Sequence, residues 1–268
     1  MRARAFGFAL IVLGATACSF VVDTTGFIGG SDDDASTTPD GTTPADADTE
    51  AAVTIDAGVD GDAAFVCPGV FCDSFDRPGE KLLDGWSSIE KNAPSEVSLD
   101  PTRGAASTPA LHSVVAPSTT TGASASLYKE LTTSATMIRL AFSARAEENI
   151  ARHSHLAVLT FGKAASQYVI LMFPQQTGAL LLAAQEPDGF QPVQPNVPWG
   201  INAWHRYELT VTTGGQPKAT LVVDGAKIFD GNLPYALTTP SYVSLGPNYT
   251  QAGPRTELWY DDVVLDLK

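Results

Sequence analysis

Apolar and polar residues alternate with a period of two over most of the chain beyond residue 66. Ile138, Leu140, Phe142 and Ala144 interleave with Arg139, Ala141, Ser143 and Arg145, the pattern of a strand with one buried face. Tyr207, Leu209 and Val211 do the same against Arg206, Glu208, Thr210 and Thr212. Ala219, Leu221 and Val223 then run into Asp224-Gly225, a tight hairpin turn before a further strand at 227–229. The same reading predicts strands over 71–76, 110–116, 124–131, 154–162, 166–173, 178–185, 241–246 and 256–267. No stretch keeps a helical period beyond about two turns. Short strands broken by Gly and Pro turns predict an all-β fold of two packed antiparallel sheets.

The first quarter of the chain follows different rules. Arg2 and Arg4 precede an apolar run from Phe6 to Gly14, and Ala15, Thr16 and Ala17 lead to Cys18. The run is shorter than the roughly 20 residues that span a bilayer, and its layout is that of a secretory signal over residues 1–17. Residues 18–65 are dominated by Asp, Thr, Ala, Gly and Pro, with almost no large apolar side chain beyond Ser31. Such a segment buries too little apolar surface to offset its ordering entropy and is expected to stay disordered and extended. The Asp-rich runs 32–34 and 56–62 lack the spacing of a calcium loop. One domain is therefore expected, over residues 66–268.

Charge narrows the partners. The formal net charge is −14, but eleven of the 30 acidic residues lie between Ser19 and Phe65, where no basic residue occurs. With Arg2 and Arg4 set aside, the domain carries about −5. The basic footprint that nucleic acid requires is missing. Three cysteines are present. Cys67 and Cys72 frame Pro68-Gly69-Val70-Phe71, and in an oxidising compartment that spacing reads as a local disulfide that pins the start of the first strand. A zinc site would need two further soft ligands.

Two resemblances add to this reading. The small residues ending at Cys18 resemble a bacterial lipobox, with Ala15 where Leu is usual; the likeness implies cleavage before Cys18 and diacylglyceryl attachment to its thiol, palmitate included, the alternative being an ordinary signal peptide cut after Ala17 that leaves Cys18 as a free thiol. Several acyl chains together anchor a protein far more stably than one. Ser19 resembles the outer-membrane sorting signal, so the expected location is the cell envelope, at the outer membrane or cell surface. Phe71-Cys72-Asp73-Ser74-Phe75-Asp76-Arg77-Pro78, with Gly85-Trp86, resembles the first strand of concanavalin A-like jelly rolls of the laminin G-like type. Trp204 to Leu209, Leu221 to Gly225, Ser244-Leu245-Gly246 and Trp259 to Val263 resemble that family's C-terminal half. The resemblance implies a jelly-roll sandwich whose first and last strands are neighbours. Some members of that family hold a calcium ion between those strands, and if this chain follows them Asp76 and Asp262 are the carboxylates of choice; the alternative is that both are solvated acids at strand ends.

Catalytic patterns are sparse. Glu257 and Asp261 share a strand face but lie about 13 Å apart at ~3.3 Å per residue, beyond the ~5.5 Å of retaining and ~9.5 Å of inverting glycosidases. Glu147-Glu148 point to opposite faces of a strand. His153-Ser154-His155 puts two imidazoles on one face without an acidic third ligand. There is no G-x-S-x-G elbow, and His112 and His205 have no suggestive neighbours. Sugar recognition asks for exposed rings, and Trp199, Tyr235, Tyr242 and Tyr249 lie in Pro- and Gly-rich stretches that suit this. Trp86, Trp204 and Trp259 sit in strand patterns and are expected in the core. Asn248-Tyr249-Thr250 is a glycosylation sequon expected to be unused in a bacterial lipoprotein.

The expected function is a non-catalytic, membrane-anchored β-sandwich that binds carbohydrate or protein at the cell envelope, with Ca2+ as the one cofactor the resemblance brings in. The alternatives are a divergent glycoside hydrolase of the laminarinase-like clan and a structural envelope protein. The anchor has a direct test. Cys18→Ser should move the protein from the membrane to the soluble fraction and abolish palmitate labelling, whereas retention in the membrane would exclude lipidation at Cys18.

Overall fold

The computed structural model describes residues 67–268 apart from 77–80, 93, 107, 148–149, 163–166, 175–179 and 187–188. The expectations for residues 1–17, Cys18 and the 18–65 linker lie outside the described residues, as do Arg77, Pro78 and Glu148. The described residues form strands and turns without a helix.

Two antiparallel sheets make up the fold. In the first, β13 (Ala226–Asn232), β12 (Lys218–Val223), β11 (His205–Thr212), β6 (Met137–Ala146), β15 (Thr256–Leu267), β4 (Ala110–Val115) and β3 (Glu96–Asp100) lie side by side in that order. β1 (Phe71–Asp73) joins them by pairing with the second half of β15. In the second, the order is β10 (Gly189–Val197), β9 (Leu180–Glu186), β8 (Gln167–Phe173), β7 (Ser154–Phe161), β14 (Pro240–Leu245), β5 (Ala125–Glu130) and β2 (Ser88–Lys91).

The period of two decides what lies between the sheets. Leu140, Phe142, Tyr207, Leu209 and Leu221 come from the eight-stranded sheet, and Leu127, Leu159, Leu171, Leu182 and Leu245 from the seven-stranded one; all are fully buried in one apolar cluster. Each such side chain stabilises the fold by roughly 1.5–3 kcal/mol relative to exposure. The first and last strands are neighbours, as the jelly-roll resemblance implies, with Asp73 opposite Val263. Cys67 and Cys72 are joined as a disulfide with their Cα atoms 5.4 Å apart. Just beyond it, Val70 N donates to Leu265 O. The buried Asp73 carboxylate accepts from Trp86 Nε1 at 2.7 Å and from Phe75 N at 2.8 Å. Those bonds hold Trp86 in the core, edge-on to Phe71.

Three strands escape the sequence pattern. β2 and β3 are short, and β2 turns only Ile89 towards the core. β10 carries Pro192 and Pro195, which mark an edge strand whose outer side needs no ladder hydrogen bonds. Trp86 lies in the core as expected, but Trp259, although 1 % exposed, stands on the outer side of the eight-stranded sheet. There it stacks on His112 at 4.7 Å, lies under the Arg103 guanidinium at 4.2 Å, and donates from Nε1 to Asp100.

Gly246 follows β14 with φ 103°, and a Cβ there would collide with the Ala125 carbonyl oxygen. Backbone strain and steric conflict coincide at this position. Gly246→Ala should cost ~1–3 kcal/mol and lower the thermal midpoint by several degrees; an unchanged midpoint would mean that β5 and β14 are less tightly apposed than described.

Candidate functional site

The alternation that fills the core leaves the opposite residues of each strand facing away from it. On most of the eight-stranded sheet these are polar: Arg139 pairs with Glu208 at 2.7 Å, and Arg206 donates to the Asp262 carbonyl at 2.6 Å. The seven-stranded sheet is different. Val158, Ile170, Met172, Leu181 and Ala183 point away from the core yet are buried, forming a second apolar cluster with Tyr168 packed on it. A surface that folding does not require to be apolar is apolar here.

Strand pairing turns this surface into three rows across the strands. The middle row runs Ser244, Val158, Ile170, Ala183, each opposite the next. On one side stand Tyr242, Thr160, Tyr168, Gln185 and Phe190, again each opposite the next. On the other stand His155, Met172 and Leu181. The loop after Gly246 adds Asn248 and Tyr249 beside His155, because Ala125 N holds the Pro247 carbonyl and His155 N holds that of Tyr249. The result is an open groove of about 450 Å³ lined by His153, His155, Asn248 and Tyr249 on one side, with Tyr168 and Phe190 on the other. Phe190 and Tyr249 are 44 % and 37 % exposed, among the most exposed large hydrophobic side chains described.

His155 is the polar centre of this groove. Its Nδ1 is hydrogen-bonded to Asn248 Oδ1, an oxygen that can only accept, so Nδ1 carries the proton and Nε2 keeps its lone pair. Asn248 Nδ2 donates to Ser244 Oγ at 3.2 Å, which fixes the amide. Burial pushes the His155 imidazole down to about 4, partly offset by the Asn248 bond, and the ring is neutral at neutral pH. Tyr128, opposite Ser244 on β5, is pushed up to about 12 by burial and by the charge of Glu90, with which it is hydrogen-bonded. The phenol is therefore a proton donor throughout the ordinary pH range.

The residues singled out by sequence are scattered. Tyr242 and Tyr249 lie on the groove face. Trp199 instead packs inward, edge-on to Phe173 at 4.8 Å and stacked on Tyr207 at 5.9 Å, with its Nε1 buried. Tyr235 is half-buried against the core. His153 and His155 both line the groove, but among the described residues no group of three or more His, Cys, Asp or Glu side chains is arranged to hold a metal. His112 is bonded to Glu257 at 2.7 Å; His205 bridges Asp224 and the Gly200 amide, which occupies both ring nitrogens structurally. The sequon is shut, since Asn248 is engaged and Thr250 is 1 % exposed.

The expected calcium pair lies away from this groove, at the junction of β1 and β15. Asp262 occupies the bulge of β15 at φ 50°, close enough to Asp76 for their charges to interact, but Arg206 provides the neighbouring positive charge. Asp261 is the more perturbed group. Burial and the adjacent Asp262 push its carboxyl up to about 7, although Ala105 N and Asp262 N donate to it at 2.7 and 2.8 Å. Sequence reasoning missed Tyr128, Tyr168, Gln185, Phe190 and Asn248 as a group, because only strand register brings them together; the outward apolar residues of 166–173 and 178–185 were the available signal.

No protein-family model matches the chain, and no curated protein matches it. Solved structures do. An endo-β-1,4-glucuronan lyase from the fungus Trichoderma reesei superimposes with a TM-score of 0.57 at 17 % identity, covering 75 % of this chain and 96 % of that one. The cellulose-induced protein Cip1 gives 0.53 at 15 % identity, covering 73 % and 96 %. An alginate lyase, Aly36B, gives 0.51 at 10 % identity, covering 69 % and 86 %. At these identities the likeness establishes the β-sandwich fold, which recurs among carbohydrate-active proteins.

Asp261 carries a pH prediction. Its folded value lies above the unfolded value of ~3.9, so its contribution is complete below that value and is lost as pH rises through about 7. His155 acts in the opposite sense: its contribution is complete above ~6.5 and is lost as pH falls through about 4. Thermal midpoints of the wild type and Asp261→Asn, compared from about pH 5 to about pH 8, should diverge, with the variant gaining relative stability as pH rises. Parallel curves would rule out a raised Asp261.

Proposed function

We propose that the chain binds a carbohydrate through the outer face of its seven-stranded sheet, and that the lipid on Cys18 and the 18–65 linker present this face from the cell envelope. The observation that carries the reading is the groove itself: exposed rings of Phe190 and Tyr249 flank the hydrogen-bonded Asn248–His155 pair and the Gln185 amide. Sugar rings offer apolar C–H faces and polar hydroxyl edges, and concave sites with a few placed polar groups suit such ligands. The glucuronan and alginate lyases and the cellulose-induced protein that share the fold support a carbohydrate as the ligand. A purely structural role leaves the apolar outer patch and the oriented His155–Asn248 pair without a purpose.

One observation favours a second reading, β-elimination from a uronic-acid chain. A neutral imidazole with a free Nε2 stands in the groove near the Tyr249 ring, at 5.7 Å between centroids. A base and a phenol in that relation can remove one proton and return another. The two readings differ in product, since elimination leaves a new carbon–carbon double bond that absorbs in the ultraviolet.

A glycan array probed with residues 66–268, with calcium and again with a chelator, tests the binding reading. A positive glycan should bind Phe190→Ala and Tyr249→Ala about tenfold more weakly, a loss of ~1.4 kcal/mol, at unchanged thermal midpoints. Binding lost on chelation would support a calcium at Asp76 and Asp262. Ultraviolet absorbance growing on alginate or glucuronan, and absent in His155→Asn, would replace binding by elimination.

A further inference from the structure

Tyr168, Gln185 and Phe190, which line one side of the groove, belong to a longer row on the outer face of the sheet that has a regular composition. Tyr242, Thr160, Tyr168, Gln185 and Phe190 come from five adjacent strands, β14, β7, β8, β9 and β10, in direct cross-strand register. A ring therefore recurs on every second strand, and the strand between supplies a hydroxyl or an amide. Adjacent strands lie ~4.8 Å apart, so successive rings are spaced by ~10 Å and the row spans ~19 Å. The neighbouring row of Val158, Ile170 and Ala183 forms a low floor beside it, with Val158 and Ile170 each 1 % exposed and Ala183 fully buried. His155 and Met172 rise beyond that floor, about 7 Å further along the strands for each step of two residues.

Among the described residues, the charged side chains at the outward positions of this sheet's strands have one sign. The outward positions of the sheet's strands carry Glu90 on β2 and Glu130 on β5, and Glu130 stands directly opposite Tyr242 at the end of the ring row. The basic residues on these strands, Lys91 and Lys129, take the inward parity, and Lys129 lies over the Phe71 ring at 4.2 Å. His155 adds no positive charge near neutral pH, because its burial keeps it neutral.

We propose that the Tyr242–Tyr168–Phe190 row is the binding track for an extended chain of uncharged sugars running across the strands, with every second sugar seated on a ring and the intervening one hydrogen-bonded to Thr160 or Gln185. This rests on the carbohydrate reading above and specifies its ligand. An extended, equatorially linked chain presents equivalent faces at every second unit, and its repeat matches the spacing of alternate strands. Stacking on a tyrosine or phenylalanine face requires no charge on the sugar. A polyuronate carries a carboxylate on each unit and meets Glu90 and Glu130 without a compensating cation on the strands, which like-charge repulsion disfavours. The track therefore separates this chain from the uronan lyases that share its fold.

The test is isothermal titration of the domain with cello-oligosaccharides from cellobiose to cellohexaose, with laminari-oligosaccharides as a neutral chain of curved shape, and with alginate and glucuronate oligosaccharides. Cellohexaose should bind at least tenfold more tightly than cellobiose, because the shorter chain reaches only one ring, and the uronate oligosaccharides should bind weakest. Phe190→Ala and Tyr242→Ala should each reduce cellohexaose affinity about tenfold. Tyr168→Ala touches the apolar cluster and risks the fold, so Tyr168→Phe, which keeps the ring, should retain binding at an unchanged thermal midpoint. Tighter binding of uronate than of cellohexaose, of laminarihexaose than of cellohexaose, or cellohexaose affinity indifferent to Phe190 and Tyr242, would each overturn the track while leaving a carbohydrate face in place. Silence towards every glycan would overturn both.

Discussion

Burial on a period of two governs this molecule. Each sheet must offer apolar side chains to the other at every second residue, and once that is satisfied the remaining positions are free of any folding requirement. On the eight-stranded sheet that freedom is taken by ion pairs and by the Trp259 cluster under Arg103. On the seven-stranded sheet it is taken by a second apolar cluster, with rings and a neutral histidine around it. The contrast between two outer faces of one sandwich locates the site, because the folding constraint is the same on both and cannot account for the difference.

The long last strand reconciles the two ends of the chain with that constraint. β15 pairs with β6 along most of its length, with β4 over its first half and with β1 over its second, and the change of partner falls at the bulge between Asp261 and Val264. An extra residue there rotates the side chains, so Tyr260 and Val263 both reach the core while Asp261 and Asp262 leave it. Asp261 is nonetheless buried, capped by two backbone amides, and its raised carboxyl is the cost of placing an acid where the strand changes partner. The acidic corner that sequence associates with calcium is thus also the point where the sheet's geometry is set.

Legibility in the sequence followed the same physics. The alternating stretches such as 138–145 and 206–212 were readable because one face is wholly apolar and the other polar, and the structure has strands there. β10 was not, since Pro192 and Pro195 argue against a strand and only an edge position tolerates them. For the site, Tyr242 and Tyr249 were visible as rings in turn-rich sequence, and Trp199 looked the same until its contacts with Phe173 and Tyr207 placed it inside. Nothing in the sequence joins Tyr168 to Phe190, twenty-two residues away, except the pairing of β8 and β10 with opposite edges of β9. A one-residue change of register would turn these rings towards the core, so the groove is a property of pairing rather than of any local motif.

Fold and chemistry separate at this point. The solved structures that superimpose on the chain include enzymes acting on uronic-acid polymers, and the sandwich is common to all of them. A shared sandwich supplies a broad face crossed by strands at a fixed spacing, and what that face does is decided by the residues at its outward positions. Here those positions hold Glu90 and Glu130, a histidine whose burial removes its charge, and rings on alternate strands. A face of that kind gains little from an anionic ligand and most from one whose apolar faces recur with the strands. Burial makes the floor of Val158, Ile170 and Ala183 and burial keeps His155 neutral, so the shape of this face and its charge have one physical origin.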